Sequence, residues 1–126
     1  MSERRTVGSG GPYEDTYGYS RAVRVGPHVH VAGTSARDGD LDEDTYVQAA
    51  GALRIIGQAL QDLGASTADV VRTVAYVTDI ADADLVARAH REVFAEIRPA
   101  ATMVQVVALL DPRMRVEIEA YAVVPD

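Results

Sequence analysis

The chain has 126 residues, 48% of them hydrophobic and 25% charged, the profile of one soluble folding unit. It has no Cys, and all 12 of its basic residues are Arg, which excludes disulfides, thiol nucleophiles, Schiff-base lysines and the Walker-type lysine. A net charge of −7 sets a repulsive average field against phosphate backbones, so no nucleic-acid partner is expected.

Residues 1–17 are polar and Gly-rich and read as a flexible N-terminal arm, ahead of one domain over 18–126. The arm lacks the apolar run of about 7–15 residues that a signal peptide needs. No stretch approaches the roughly 18 apolar residues of a membrane span. A cytoplasmic protein with no membrane partner is expected. Gly8-Ser-Gly-Gly resembles a phosphate cradle only superficially, because no strand precedes it and no helix follows.

Ser20–Val25 and His28–Gly33 read as two strands joined at the turn Gly26-Pro27. The loop Asp38-Gly-Asp-Leu-Asp-Glu-Asp carries five acids. It does not match a calcium loop, since Glu43 stands where glycine is required and Ala49 where the bidentate acid is required. A helix is predicted over Thr45–Leu63, with Ala49, Leu53, Ile56, Leu60 and Leu63 on one stripe and Gly64 ending it. Val70–Thr78 is β-branched and reads as a strand. A second helix spans Ala83–Glu96, burying Leu85, Ala89, Val93 and Ile97, and Pro99 stops it. Strands at Thr102–Leu109 and Met114–Val123 follow, with Asp111-Pro112 between them. The order β-β-α-β-α-β-β implies an α/β (α+β) fold, with both helices on one face of a mixed sheet.

Alternation in the last strand sends Val116, Ile118, Ala120 and Ala122 to the helices and leaves Glu117, Glu119 and Tyr121 on the open face. In the middle strand Val71, Thr73, Ala75 and Val77 take the helix side, and Arg72, Val74 and Tyr76 join the acids. Arg72 is placed to pair with Glu117 or Glu119. An open face that also holds Val74, Val107, Leu109 and Val123 is too apolar to stay bare, so an oligomer should cover it. His28 and His30 point the same way but lack a third ligand, so no metal is expected. His90 reads as a helix-packing residue. Glu117 and Glu119 share a face, and one of them can act as a general base.

Nearly the whole folded chain resembles the RidA/YjgF family. The resemblance is carried by Gly18-Tyr-Ser-Arg-Ala-Val, His30-Val-Ala-Gly-Thr, Asp69-Val-Val-Arg-Thr-Val-Ala-Tyr-Val-Thr-Asp, Arg98-Pro-Ala-Ala-Thr-Met-Val and Val116-Glu-Ile-Glu-Ala-Tyr-Ala. It implies a chorismate-mutase-like fold and a homotrimer whose sheets form a central barrel. It also implies clefts between subunits in which enamines and imines are hydrolysed to a keto acid and ammonia, with no cofactor. The family's substrate-binding positions map to Tyr19, Gly33, Ala101 and Met103, and its catalytic acid maps to Glu119. At Ala101 the family carries an arginine that holds the substrate carboxylate, and at Met103 a small residue or Cys, so this chain reads as a divergent branch. Three functions follow from the resemblance. One is a hydrolase that is poor with 2-aminoacrylate. The second is a non-catalytic trimer that binds a metabolite or protein in the same cleft. The third is a ribonuclease, which the charge and the lack of Lys oppose.

Overall fold

The computed structural model describes residues 3–126. One mixed sheet of six strands has the spatial order β1-β2-β3-β6-β4-β5. Its members are β1 (Arg4–Val7), β2 (Ala22–Val25), β3 (His28–Thr34), β4 (Val70–Val77), β5 (Ala100–Gln105) and β6 (Val116–Val123). Only β4 and β5 pair in parallel. Among the described residues three α-helices accompany the sheet: α1 (Glu14–Tyr17), α2 (Thr45–Asp62) and α3 (Ala83–Phe94). The core lies between the sheet and the two long helices, with Ile56, Leu60, Val77, Val86, Val116 and Ile118 fully buried.

Local chemistry sets the helix limits. The Asp44 side chain accepts from the Val47 N–H and caps α2. At the far end Gly64 takes the left-handed conformation, φ 77°, and Arg24 donates to the Leu63 carbonyl at 2.7 Å, satisfying a group the helix leaves unpaired. The α3 stripe is wider than expected: Ala89 is buried and Val93 and Ile97 pack against the core as predicted, but Val86 and Phe94 join them. Leu85 is only half-buried.

β6 alternates as its sequence predicts, buried and half-buried residues following one another through all eight positions. β4 does not. A bulge separates the pairs Val70↔Ala122 and Arg72↔Tyr121, making Val71 the extra residue. Val70 therefore enters the core, and Val71, expected on the helix side, is exposed. Val74, expected to await a partner, is already buried within the chain. β5 starts two residues earlier than expected and ends at Gln105, so Val107 lies beyond the sheet and fully exposed.

The largest departure is at the N-terminus. The segment expected as an arm over 1–17 instead supplies β1, which pairs antiparallel with β2 from Arg4↔Val25 to Val7↔Ala22. Its first two residues lie outside the described ones. The Arg21 N–H also donates to the Val7 carbonyl at 2.8 Å. Backbone pairing at a sheet edge needs no apolar side chains, so this polar strand carries no hydrophobic signal. No helix among the described residues is long and apolar enough to cross a membrane.

Candidate functional site

A cleft of about 910 Å³ opens beside β3 and β6, with Tyr19, Arg21, Gly33 and Glu117 on its floor. Arg21 organises that floor. It is buried, at 3% exposure. Its Nη1 donates to the Gly33 carbonyl at 2.6 Å and to Thr34 Oγ1 at 2.8 Å, and its Nη2 donates to the Tyr19 hydroxyl oxygen at 2.8 Å. With the guanidinium on its oxygen, the Tyr19 hydroxyl keeps its own proton for another acceptor. Among the described residues Arg21 Nε has no hydrogen-bond partner, and it faces the Glu14 carboxylate at 3.6 Å.

Glu14 is the second organiser, and it comes from the segment read as an arm. Its carboxylate accepts from the Ser9 hydroxyl at 2.7 Å, the Ser9 N–H at 3.2 Å and the Gly11 N–H at 3.1 Å. Burial alone raises its pKa, but these bonds and the nearby Arg21 outweigh it, and the carboxyl sits below the usual glutamate range. Arg37 closes the loop by donating to the Ser9 carbonyl and hydroxyl. Gly11 is fixed by space, because a Cβ there would lie 2.7 Å from Glu14 Oε2 and 2.9 Å from Arg37 Nη2.

Glu117 reaches over Gly33, where a Cβ would come within 2.6 Å of its Oε1. Burial pushes its carboxyl up, Arg21 opposes the shift, and Glu119 adds to it. The opposite cleft wall is the turn around Asp111 and Arg113. Buried Gln48 holds it, donating to the Arg113 carbonyl at 2.9 Å and accepting from the Arg115 N–H at 2.8 Å.

The expected site residues divide. Tyr19 and Gly33 share this cleft with Glu117. Glu119 lies two residues further along the same face, in a separate groove with Ser20, His30 and Arg72, and accepts from the Tyr76 hydroxyl. That bond holds the Tyr76 hydroxyl above its usual range. The expected ion pair of Arg72 with Glu117 or Glu119 is not formed among the described residues, since the tyrosine hydroxyl takes the acid instead. Ala101 pairs with Thr73 and Met103 with Ala75, on the helix side of the sheet. Thr73 bonds His90 of α3 there at 2.8 Å, and burial lowers the His90 pKa. Met103 packs against the core margin, and Ala101 is exposed on the edge strand.

The histidine pair expected at 28 and 30 instead flanks the Tyr121 ring. His30 stacks on it at 4.7 Å between centroids, and His28 bonds its hydroxyl. Two of the acids of the 38–44 loop turn to arginines, Asp40 to Arg54 at 3.1 Å and Asp42 to Arg113 at 3.5 Å. Glu14, Arg21, Arg37 and Gln48 were not singled out from the sequence. The one local signal for the first of these is a Gly-rich turn three residues ahead of an acid, which aims free N–H groups at its side chain.

Comparison with known proteins bears on this geometry. The Endoribonuclease L-PSP family profile matches residues 13–124. The crystal structure of Rv2704 from Mycobacterium tuberculosis, described as a member of the YjgF/YER057c/UK114 family, superposes with a TM-score of 0.91. It is 50% identical, over 97% of this chain and 100% of that one. A RutC family protein of Pyrococcus abyssi is 32% identical over 82% of this chain and 84% of its own. Escherichia coli TdcF, solved with bound serine, superposes with a TM-score of 0.78 at 26% identity, over 96% of this chain and 94% of that one.

Proposed function

We propose, from the premise that this chain belongs to the RidA/YjgF family, that it hydrolyses enamine- or imine-type metabolites in a cleft completed by a neighbouring copy. The observation that carries the reading is Glu117. A half-buried carboxyl with a raised pKa stands over Gly33 in an open cleft that Tyr19 also lines. Hydrolysis of an enamine needs a proton delivered to carbon and another taken from water. A carboxyl whose pKa is moved toward the working pH suits both transfers. Glu119, at the position of the family's acid, is assigned by that resemblance to orient water; it stands in the neighbouring groove of the same face, its carboxylate held by Tyr76. Neither transfer calls for a cofactor.

The division of the site supports an oligomer, and family resemblance makes that oligomer a homotrimer. Within one chain Ala101 and Met103 lie on the helix side of the edge strand, away from Tyr19, Gly33 and Glu117. A second copy must bring its edge strand to the cleft for these positions to meet. Val104, Val107 and Leu110 leave that edge apolar and exposed, which suits burial against a partner. TdcF with bound serine supports a small ligand for the cleft. Despite the profile's name, the net charge of −7 and the lack of Lys oppose RNA as the substrate.

Ala101 leaves a substrate carboxylate without the family's arginine. A charge-assisted bond contributes about 1.5–3 kcal/mol, or roughly ten- to a hundredfold. The purified protein is therefore expected to act poorly on 2-aminoacrylate released by a coupled dehydratase. Light scattering is expected to give three times 13.5 kDa, and Val107→Asp to lower that mass. A stable wild-type monomer refutes the shared cleft. Ligand binding without turnover of any imine moves the non-catalytic reading ahead.

A further inference from the structure

The charges around the cleft are already spoken for on the positive side. Arg113 engages Asp111 at 2.9 Å and Asp42 at 3.5 Å. Arg37 holds Ser9 and lies 3.7 Å from Glu14. Arg21 holds Gly33, Thr34 and Tyr19, and its Nε–H faces Glu14. On the negative side Asp38 and Glu117 line the same cleft, and neither forms an ion pair among the described residues. Leu41, Leu110 and Met114 supply apolar wall. A carboxylated ligand would meet two acids and no uncommitted guanidinium, whereas a compact cation would meet acids and apolar surface.

We infer that the cleft selects imines without a carboxylate, bound as iminium cations, so that its substrate comes from a reaction that oxidises amines rather than one that breaks down amino acids. The inference rests on the hydrolase reading above and names its substrate class. The step balances as iminium plus water to carbonyl plus ammonium. Glu117 takes a proton from water as the water oxygen bonds the iminium carbon and the C=N pair moves to nitrogen. The carbinolamine nitrogen then takes that proton back from Glu117, the C–N bond breaks toward nitrogen as ammonia departs, the oxygen lone pair closes the carbonyl, and the hydroxyl proton passes through the Glu117 carboxylate to the ammonia, giving ammonium. Tyr19, its oxygen already occupied by Arg21, donates to the oxygen that becomes the carbonyl.

The test pairs two imines with the same side chain. One is generated by an amine oxidase from a primary amine, the other by an amino-acid oxidase from the matching amino acid. Carbonyl formation above the spontaneous rate is followed for the intact protein. A preference of about tenfold or more for the amine-derived imine is expected. Asp38→Asn, which leaves Glu117 in place, is expected to shrink that preference severalfold through KM, with kcat held. An equal or larger rate on the carboxylated imine overturns the inference and leaves the hydrolase reading standing. Acceleration of neither imine overturns both.

Discussion

Glu14 and Glu117 both feel the charge of one guanidinium, that of Arg21, yet their carboxyls shift in opposite directions. Glu14, in the Ser9–Gly11 turn, is held below the glutamate range. Glu117, on β6, is pushed above it. Burial raises both carboxyls, and Arg21 lowers both. The difference is in short-range donors. Glu14 collects two backbone N–H groups and a hydroxyl, whereas a neighbouring acid, Glu119, adds to the upward shift at Glu117. A fixed set of donors stabilises the charged form more than one nearby cation does. The first carboxylate is thereby locked into its own turn, and the second has no such set of donors among the described residues.

The largest expected effect breaks the comparison at its shared member. Arg21→Met strips the cation from buried Glu14 and leaves the Gly33 carbonyl and Thr34 hydroxyl without their donor. Removing one partner of a buried pair costs about 3–5 kcal/mol, and urea unfolding is expected to show a loss of that size. Arg21→Lys is expected to recover only part of it, since an ammonium does not span three acceptors as the planar fork does.

Glu14→Gln tests the structural side alone. Losing charged hydrogen bonds costs about 1.5–3 kcal/mol, read by the same unfolding measurement near neutral pH. The sign of the pH dependence follows from the lowered pKa. The folded state prefers the ionised form, so the stability Glu14 contributes is complete above the ordinary glutamate pKa and is lost as pH falls through the folded value. The variant is therefore expected to lose less stability than wild type on acidification below about pH 4.3. His90, whose lowered pKa also favours the deprotonated form in the fold, acts from near pH 6.5 downward. Its contribution belongs to a separate part of the curve.

This contrast also marks where the residues were readable in order. The β6 alternation and the α2 stripe each recur over several turns or pairs, and both hold in the structure because every position faces one continuous core. The bulge at Val71 escapes an alternation rule, since one inserted residue reverses the faces on one side of it. The β1 strand of Arg4-Arg5-Thr6-Val7 carries no apolar period. The Glu14 nest is built from backbone donors, which side-chain chemistry does not report. Tyr19 and Gly33 were assigned through family resemblance and do share a cleft. Glu119 and Ala101 were assigned in the same way, yet one chain keeps them on opposite faces of the sheet, and sequence order gives no sign of that separation.

The smallest effect is the most informative, because its sign is the reverse of the Glu14 result. At Glu117 the folded state favours the protonated carboxyl, so stability declines as pH rises from the ordinary glutamate pKa through the raised folded value and is level above it. Glu117→Gln removes the charge that burial penalises and keeps the side chain's shape over Gly33. It is expected to abolish that decline and to raise stability near neutral pH by about 1 kcal/mol or less, since one pKa unit corresponds to about 1.4 kcal/mol and partial solvent contact reduces the effect. Imine hydrolysis is expected to fall by roughly a hundredfold or more in the same variant, the range assigned to a single general acid–base group. A gain in stability with a loss of activity fits a carboxyl held in its cleft for chemistry. A loss of stability comparable to that of Glu14→Gln would instead show that Glu117 is a second structural carboxylate, and proton transfer would then have to be reassigned to Glu119.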